Sequence, residues 1–264
     1  MKMMFIGDIV GSASRQAVID WVPELKRRYN VSLVVANAEN AAAGAGMTSN
    51  IVRDLSKVVD VITGGDHIWD QKGFESEINA FDKVIRPANY FPSQPGVGWR
   101  IYANPSGGEY AVIALQGQVF MREVAKNPFL AVGEILAEMP SRIKTIFVDF
   151  HAEATSEKRA MGYFLDGRVT AVFGTHTHIQ TADEQVLPGG TAIIADVGMV
   201  GGNRSVLGRD VESVLRKFST GLPGRFPVVE EDIRLDAAIV TYDYLTGGAS
   251  AIERVSVTAA DMCE

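Results

Sequence analysis

Seven short apolar runs, at residues 3–6, 33–36, 58–63, 111–115, 145–150, 171–173 and 192–195, constrain the fold of this chain more than any other feature. A strand with one wet face alternates polar and apolar residues, whereas these runs barely alternate. They therefore suit strands buried on both faces in a layered α/β protein. A later pair, residues 237–242 and 252–257, reads as a hairpin around Thr246-Gly247-Gly248. Between the early runs, residues 14–29 carry Ala17, Val18, Trp21, Val22 and Leu25 on one helical face, with Pro23 expected to kink or divide the helix. Residues 127–139 and 210–218 have similar helical patterns. Residues 86–108, rich in Pro, Gly and Asn, read as an irregular connection. With no repeat, low-complexity tract or linker, the chain is expected to form one domain over residues 1–264.

Five of the runs are followed at once by groups able to bind a metal: Asp8; Glu39 with Asn40; Asp66 with His67; His151; and His176 with His178. Taken singly, each has an ordinary reading. An Asp or Asn after a strand commonly closes a turn or caps a helix, and a lone His often serves as a hydrogen-bonded structural residue. The recurrence is the stronger signal, because strand C-termini in an α/β sheet converge on one edge and bring distant residues together there. All four histidines of the chain fall in this set, and imidazole is both the commonest metal ligand and the commonest acid or base near neutral pH. In Gly174-Thr175-His176-Thr177-His178, two imidazoles one residue apart on extended backbone would point to opposite sides, serving two adjacent metals or flanking one. The glycine ahead of them lets the backbone approach the site closely.

Bulk properties narrow the function. A net charge of -7 disfavours an extended nucleic-acid or anionic-membrane surface, while leaving room for a small anionic substrate where a bound metal supplies positive charge. The N-terminus does not resemble a signal peptide, and no apolar stretch approaches the roughly 20 residues of a membrane span. The single cysteine, Cys263, cannot form an intrachain disulfide and fits a reducing cytoplasm. Oligomeric state is left open, and a homo-oligomer is compatible with the sequence.

The order of these residues resembles that of the calcineurin-like metallophosphoesterases: Gly7-Asp8, Glu39, Gly65-Asp66-His67, a lone His151, then Gly174-Thr175-His176-Thr177-His178. More closely, the chain resembles the YmdB-type bacterial phosphodiesterases. The resemblance is carried by Phe-Ile-Gly-Asp-Ile-Val-Gly-Ser, Asn-Ala-Glu-Asn-Ala-Ala, Arg-Pro-Ala-Asn, Asp-Phe-His-Ala-Glu-Ala-Thr-Ser-Glu-Lys and Gly-Thr-His-Thr-His-Ile-Gln-Thr-Ala-Asp, and it runs the length of the chain. It implies an α/β sandwich of two mixed β-sheets flanked by helices. It also implies two divalent or mixed-valence metal ions, typically iron or manganese. Asp8, Asn40 and His178 would hold one metal, Asp66, His151 and His176 the other, and Glu39 would bridge them. His67 would stand beside the pair as general acid or as stabiliser of the leaving oxygen. The implied reaction is attack by a metal-bridging hydroxide on a phosphodiester, with 2′,3′- or 3′,5′-cyclic nucleotides as substrates. A phosphomonoesterase or nuclease would use the same centre, and a regulator that binds metal or nucleotide without turnover is the alternative of another class.

Two positions depart from the wider superfamily. Val10 stands where a histidine is usual, with Asn40 as the replacement donor. Asp66 stands where Asn is usual: three carboxylates against two divalent ions leave +1, and a bridging hydroxide brings the centre to zero. Arg86 reads as a structural residue or a phosphate ligand. Trp69 and Asp70 read as braces for His67 or as helix caps, and Glu153, Thr155 and Ser156 as site lining or a helix start. Gly44 and Gly46 lack the strand-glycine-helix spacing of a nucleotide fingerprint.

Overall fold

The computed structural model describes residues 1–104, 107–122 and 125–262, so the prediction made for Cys263 lies outside the described residues. Chain order begins β1 (Lys2–Ile6), β2 (Asp8–Ile9), α1 (Gly11–Tyr29), β3 (Leu33–Asn37), α2 (Ser49–Leu55), β4 (Val61–Thr63), a short α3 (Phe74–Glu77) and β5 (Val84–Ile85). It continues with β6 (Trp99–Ala103), β7 (Glu109–Gln116), α4 (Pro128–Glu138), β8 (Thr145–His151), α5 (Thr155–Phe164), β9 (Ala171–Thr175), β10 (Gln185–Val186) and β11 (Ala192–Ile194). The chain closes with β12 (Met199–Gly202), α6 (Val211–Thr220), β13 (Ile233–Tyr242) and β14 (Ala249–Thr258).

Two mixed sheets result. In the first, β1, β3, β4 and β5 run parallel, β13 pairs antiparallel with β1, and β14 lies outside β13. The second has the order β10-β11-β9-β8-β7-β6, parallel from β11 to β7 and antiparallel at both edges. Met3, Phe5, Leu33 and Val35 of the first sheet pack against Val112, Phe147 and Phe173 of the second. Phe5 and Phe173 stack with ring centroids 4.6 Å apart. The intervening residues Met4, Ile6, Val34 and Ala36 face outward onto Val18, Val22 and Leu25 of α1. Ile113, Leu115, Val148 and Phe150 do the same beneath α4 and α5. Each of these central strands is therefore covered on both sides, which is why its sequence is apolar without alternation.

Two expectations change. Pro23 lies inside α1, yet the helix runs unbroken over 19 residues. Its ring is on the exposed face, where one missing backbone hydrogen bond costs less than the buried stripe of Val18, Val22 and Leu25 contributes. The 86–108 segment contains strand β6, which pairs with β7 from Trp99↔Ile113 to Ala103↔Glu109. Pairing with β7 overrides its loop-like composition. The helix starts follow local rules: Asn127 accepts hydrogen bonds from Phe129 and Leu130 N–H ahead of Pro128, and Asp210 accepts one from Ser213.

Parallel strands of both sheets end at one edge. The register places Gln116, His151 and Thr175 level in the second sheet, and Asn37 level with Thr63 in the first. Asp149 ties the sheets there, accepting from Asn37 Nδ2 at 3.1 Å and from the Thr63 and Thr175 hydroxyls.

Candidate metal centre

All eight residues singled out in the sequence reach this edge. Asp8 follows β1, Glu39 and Asn40 follow β3, Asp66 and His67 follow β4, His151 ends β8, and His176 and His178 follow β9. Among the described residues, Glu39, Asp66, His151 and His176 each present a ligand atom within 4.8 Å of every other. His151 Nε2 lies 2.9 Å from Asp66 Oδ1, 3.1 Å from Glu39 Oε1 and 3.0 Å from His176 Nδ1. Asn40 meets the same Glu39, and His178 joins the cluster through Asn40. Asn40 Nδ2 is 2.9 Å from Glu39 Oε1 and 3.4 Å from His178 Nε2. One carboxylate oxygen of Glu39 thus touches both groups.

Asp8 is the least expected detail. It is fully buried; Oδ2 accepts from His176 N–H at 3.1 Å, while Oδ1 has no hydrogen-bond partner. Burial beside Glu39 and Asp196 pushes its pKa well up, with His151 opposing. A buried carboxylate oxygen without a partner is costly, and a cation would satisfy it. The donor set fits a metal on chemical grounds as well: carboxylates, imidazoles and an amide together suit iron, manganese or zinc. Rotating the Asn40 amide by half a turn would present its oxygen in place of nitrogen.

The imidazoles are oriented from behind. His178 Nδ1 donates to the Leu207 carbonyl at 3.2 Å, leaving Nε2 with its lone pair, and burial holds this ring below its ordinary pKa. His151 Nδ1 is 2.9 Å from Thr175 Oγ1, which donates to Asp149 Oδ1 at 2.7 Å. Burial raises the Asp149 pKa even though His151 and the donors from Thr63, Thr175 and Asn37 oppose it. His176 turns Nε2 to Glu153 Oε2 at 3.2 Å, so Glu153 lines the site. For Asp66, burial alone would raise the pKa, but hydrogen bonds from His151 and His176 outweigh it and hold the carboxyl well below its usual range.

The His-Thr-His segment departs from the extended geometry expected. Strand β9 stops at Thr175, and His176 (φ 98°) and His178 (φ 63°) both occupy the left-handed region. Such residues cost about 1–3 kcal/mol each and persist only where their surroundings fix them. Thr177, between them, is held by Asp196, whose Oδ2 accepts from Thr177 N–H at 3.0 Å and from its hydroxyl at 2.7 Å. Lys158 Nζ donates to that same oxygen at 2.7 Å, with both side chains buried. Gly174 serves a purpose other than the one expected. A Cβ there would lie 1.8 Å from the Ala195 carbonyl, so the close approach is to the backbone just after β11 rather than to the candidate ligands. Gly65 is the glycine inside the site, where a Cβ would meet Glu39 Oε2 at 2.2 Å and His151 at 2.4 Å.

His67 stands beside the cluster. Its Nδ1 lies 2.8 Å from Asp70 Oδ2 and its Nε2 3.9 Å from Asp66 Oδ2. Burial lowers its pKa, but Glu39, Asp66 and Asp70 more than offset this and leave it raised. Asp70 therefore braces the imidazole, whereas Trp69 bonds to Gln94 instead. Arg86 is structural: it is buried and donates to the carbonyls of Pro87, Gln94 and Pro95. Asp149, Asp196 and Lys158 are not among the site candidates that the sequence singles out. The available signals were an Asp inside the apolar run Ile-Phe-Val-Asp-Phe and another directly after residues 192–195.

The family model for YmdB-like proteins matches residues 4–255. The 2′,3′-cyclic-nucleotide 2′-phosphodiesterase of Bacillus subtilis is 45% identical over 258 residues, covering 97% of each chain. The crystal structure of a phosphatase from Mycoplasma pneumoniae superposes with a TM-score of 0.91 at 32% identity, covering 98% of this chain and 93% of that one. A calcineurin-like phosphoesterase of Bacillus subtilis shares the fold at a TM-score of 0.58 and 11% identity, covering 98% of this chain and 91% of the other.

Proposed function

Because the chain belongs to the YmdB-like family, we propose that it is a metal-dependent phosphodiesterase of small cyclic phosphodiesters, chiefly 2′,3′-cyclic nucleotides and then 3′,5′-cyclic nucleotides. The observation that carries this reading is the packing of Glu39, Asp66, His151 and His176 ligand atoms within 4.8 Å, with an acid-braced His67 alongside. In this reading Asp8, Asn40 and His178 would hold one ion, Asp66, His151 and His176 would hold a second, and Glu39 would be shared between them. The unpartnered Asp8 oxygen and the shared contacts of Glu39 support that division. Iron or manganese suits the donors. When bound, the ions supply an activated water and positive charge for the phosphoryl oxygens.

The protein's own groups perform the rest. Glu153 and the Leu207 carbonyl fix the ring nitrogens of His176 and His178 that face away from the ligand cluster. Asp70 holds Nδ1 of His67, leaving Nε2 to deliver a proton to the departing alkoxide. No helix among the described residues is long and apolar enough to cross a membrane, and a cytoplasmic setting belongs to the same proposal.

The test is a substrate panel of 2′,3′- and 3′,5′-cyclic AMP, an aryl phosphodiester and RNA, run on protein reconstituted with manganese or ferrous iron. His67→Ala is expected to bind metal normally and to lose about 100- to 10,000-fold in rate; unchanged turnover rejects the acid role. Metal analysis is expected to give two ions per chain, and a single ion would remove the bridging role of Glu39.

A further inference from the structure

Beside the candidate centre lies a cavity of about 550 Å³, lined in part by Asp66, His67 and His176. The connection after β7 completes it with Phe120, Met121 and Arg122. We propose that this connection is the substrate-recognition element of the phosphodiesterase: Phe120 is the platform on which the nucleobase stacks, and Arg122 binds the substrate's phosphate. The inference rests on the proposed function and adds the parts that would select a nucleotide among phosphodiesters.

Phe120 is 86% exposed and sits at φ 64°. A single exposed aromatic is ordinary on a protein surface; one held in the left-handed region at the rim of a cavity is not, because a bulky side chain rarely adopts that backbone. The base of the connection is fixed. Glu157, buried at the start of α5, accepts from Gln118 N–H at 3.0 Å and from Val119 N–H at 3.2 Å. Asn89 Nδ2 donates to the Gln116 carbonyl at 2.7 Å and to the Lys126 carbonyl at 2.8 Å, while Gln118 Nε2 donates to the Ala125 carbonyl at 2.8 Å. A pinned base with an exposed aromatic tip is a preformed platform, and a ligand stacking on it has little ordering cost to meet.

Charge points the same way. The cavity's acidic lining, Asp66, Asp70 and Glu153, opposes an anion, and Arg122 is the one Lys or Arg among its described lining residues. No hydrogen bond or ion pair joins Arg122 to another described residue, so no described residue competes with a phosphate for its guanidinium, which matches that group in shape and charge.

Calorimetric binding of adenosine 3′-monophosphate and glycerol 2-phosphate to the manganese-loaded protein tests this without requiring turnover. Phe120→Ala is expected to weaken nucleotide binding by about 5- to 150-fold, the range for loss of one base–aromatic stack, and to leave glycerol phosphate unchanged. Arg122→Ala is expected to weaken both ligands. Circular dichroism checks that each variant folds; both positions are exposed. Kinetics with 2′,3′-cyclic AMP and glycerol 1,2-cyclic phosphate, followed by phosphorus NMR, should show the same split in KM. Nucleotide binding without any turnover would refute the proposed function and leave the platform standing. Equal affinity of Phe120→Ala and the parent for the nucleotide, equal losses for both ligands, or no nucleotide binding by the parent would each overturn the platform.

Discussion

Replacing Lys158 by Met tests whether the His-Thr-His turn depends on a buried charge pair. Lys158 and Asp196 side chains are 3% and 1% exposed and meet at 2.7 Å. Methionine preserves most of the apolar stem, so little cavity cost arises. What remains is the charge of Asp196, left in a buried site without its cation. Removing one partner of a buried pair costs about 3–5 kcal/mol. Here the lower end applies, because Asp196 keeps donors from Thr177 N–H, the Thr177 hydroxyl and Gly198 N–H at 3.0, 2.7 and 2.8 Å. For a chain of this size each kcal/mol moves the melting temperature by roughly 2–4 °C, so a loss of about 3 kcal/mol corresponds to roughly 6–12 °C.

The assay is thermal and urea unfolding in excess chelator, so that metal binding does not add its own stabilisation. A double variant supplies the internal control. If an uncompensated carboxylate causes the loss, Lys158→Met with Asp196→Asn should recover part of it despite carrying one more substitution, since neutral replacement of a buried pair is often tolerated. A single variant within 0.5 kcal/mol of the parent, or a double variant less stable than the single, would refute the reasoning.

Asp66→Asn is expected to retain activity and shift metal preference, since it raises the charge of the loaded centre by one while keeping an oxygen near His151 and His176; metal titration checks this, and complete loss of metal would refute it. Asp70→Asn removes one of the groups that raise the His67 pKa. A general acid works protonated, so kcat falls as pH rises through that pKa, and the variant's fall should come at lower pH; an unmoved alkaline limb in the kcat profile contradicts the brace. Manganese at 100 times its dissociation constant should stabilise the parent by about 2.7 kcal/mol for each ion bound, and Asp8→Asn should lose much of this gain in a melting experiment.

The layers were legible because each central strand is covered on both sides. Met3 and Phe5 enter the inter-sheet core while Met4 and Ile6 enter the core beneath α1, so a run without alternation is what the architecture demands. Strand β6 was hidden because pairing with β7, a non-local term, overrides a composition that reads as loop. At the site, the convergence of the candidate residues was readable from their place after strands, since register alone brings His151 level with Thr175. Backbone geometry was not readable in that way. Spacing predicted two imidazoles on opposite sides of an extended segment; in the structure the strand has ended, and the two rings reach different partners of Glu39 from strained left-handed residues. What stabilises that strain is Asp196, 20 residues later in the sequence, and its partner Lys158, 18 residues earlier. The motif names the candidate ligands, but a polar cluster built from two other elements sets their angles. A change at Lys158 or Asp196 should therefore reach the metal through the turn at Thr177 while leaving every proposed ligand in the sequence untouched.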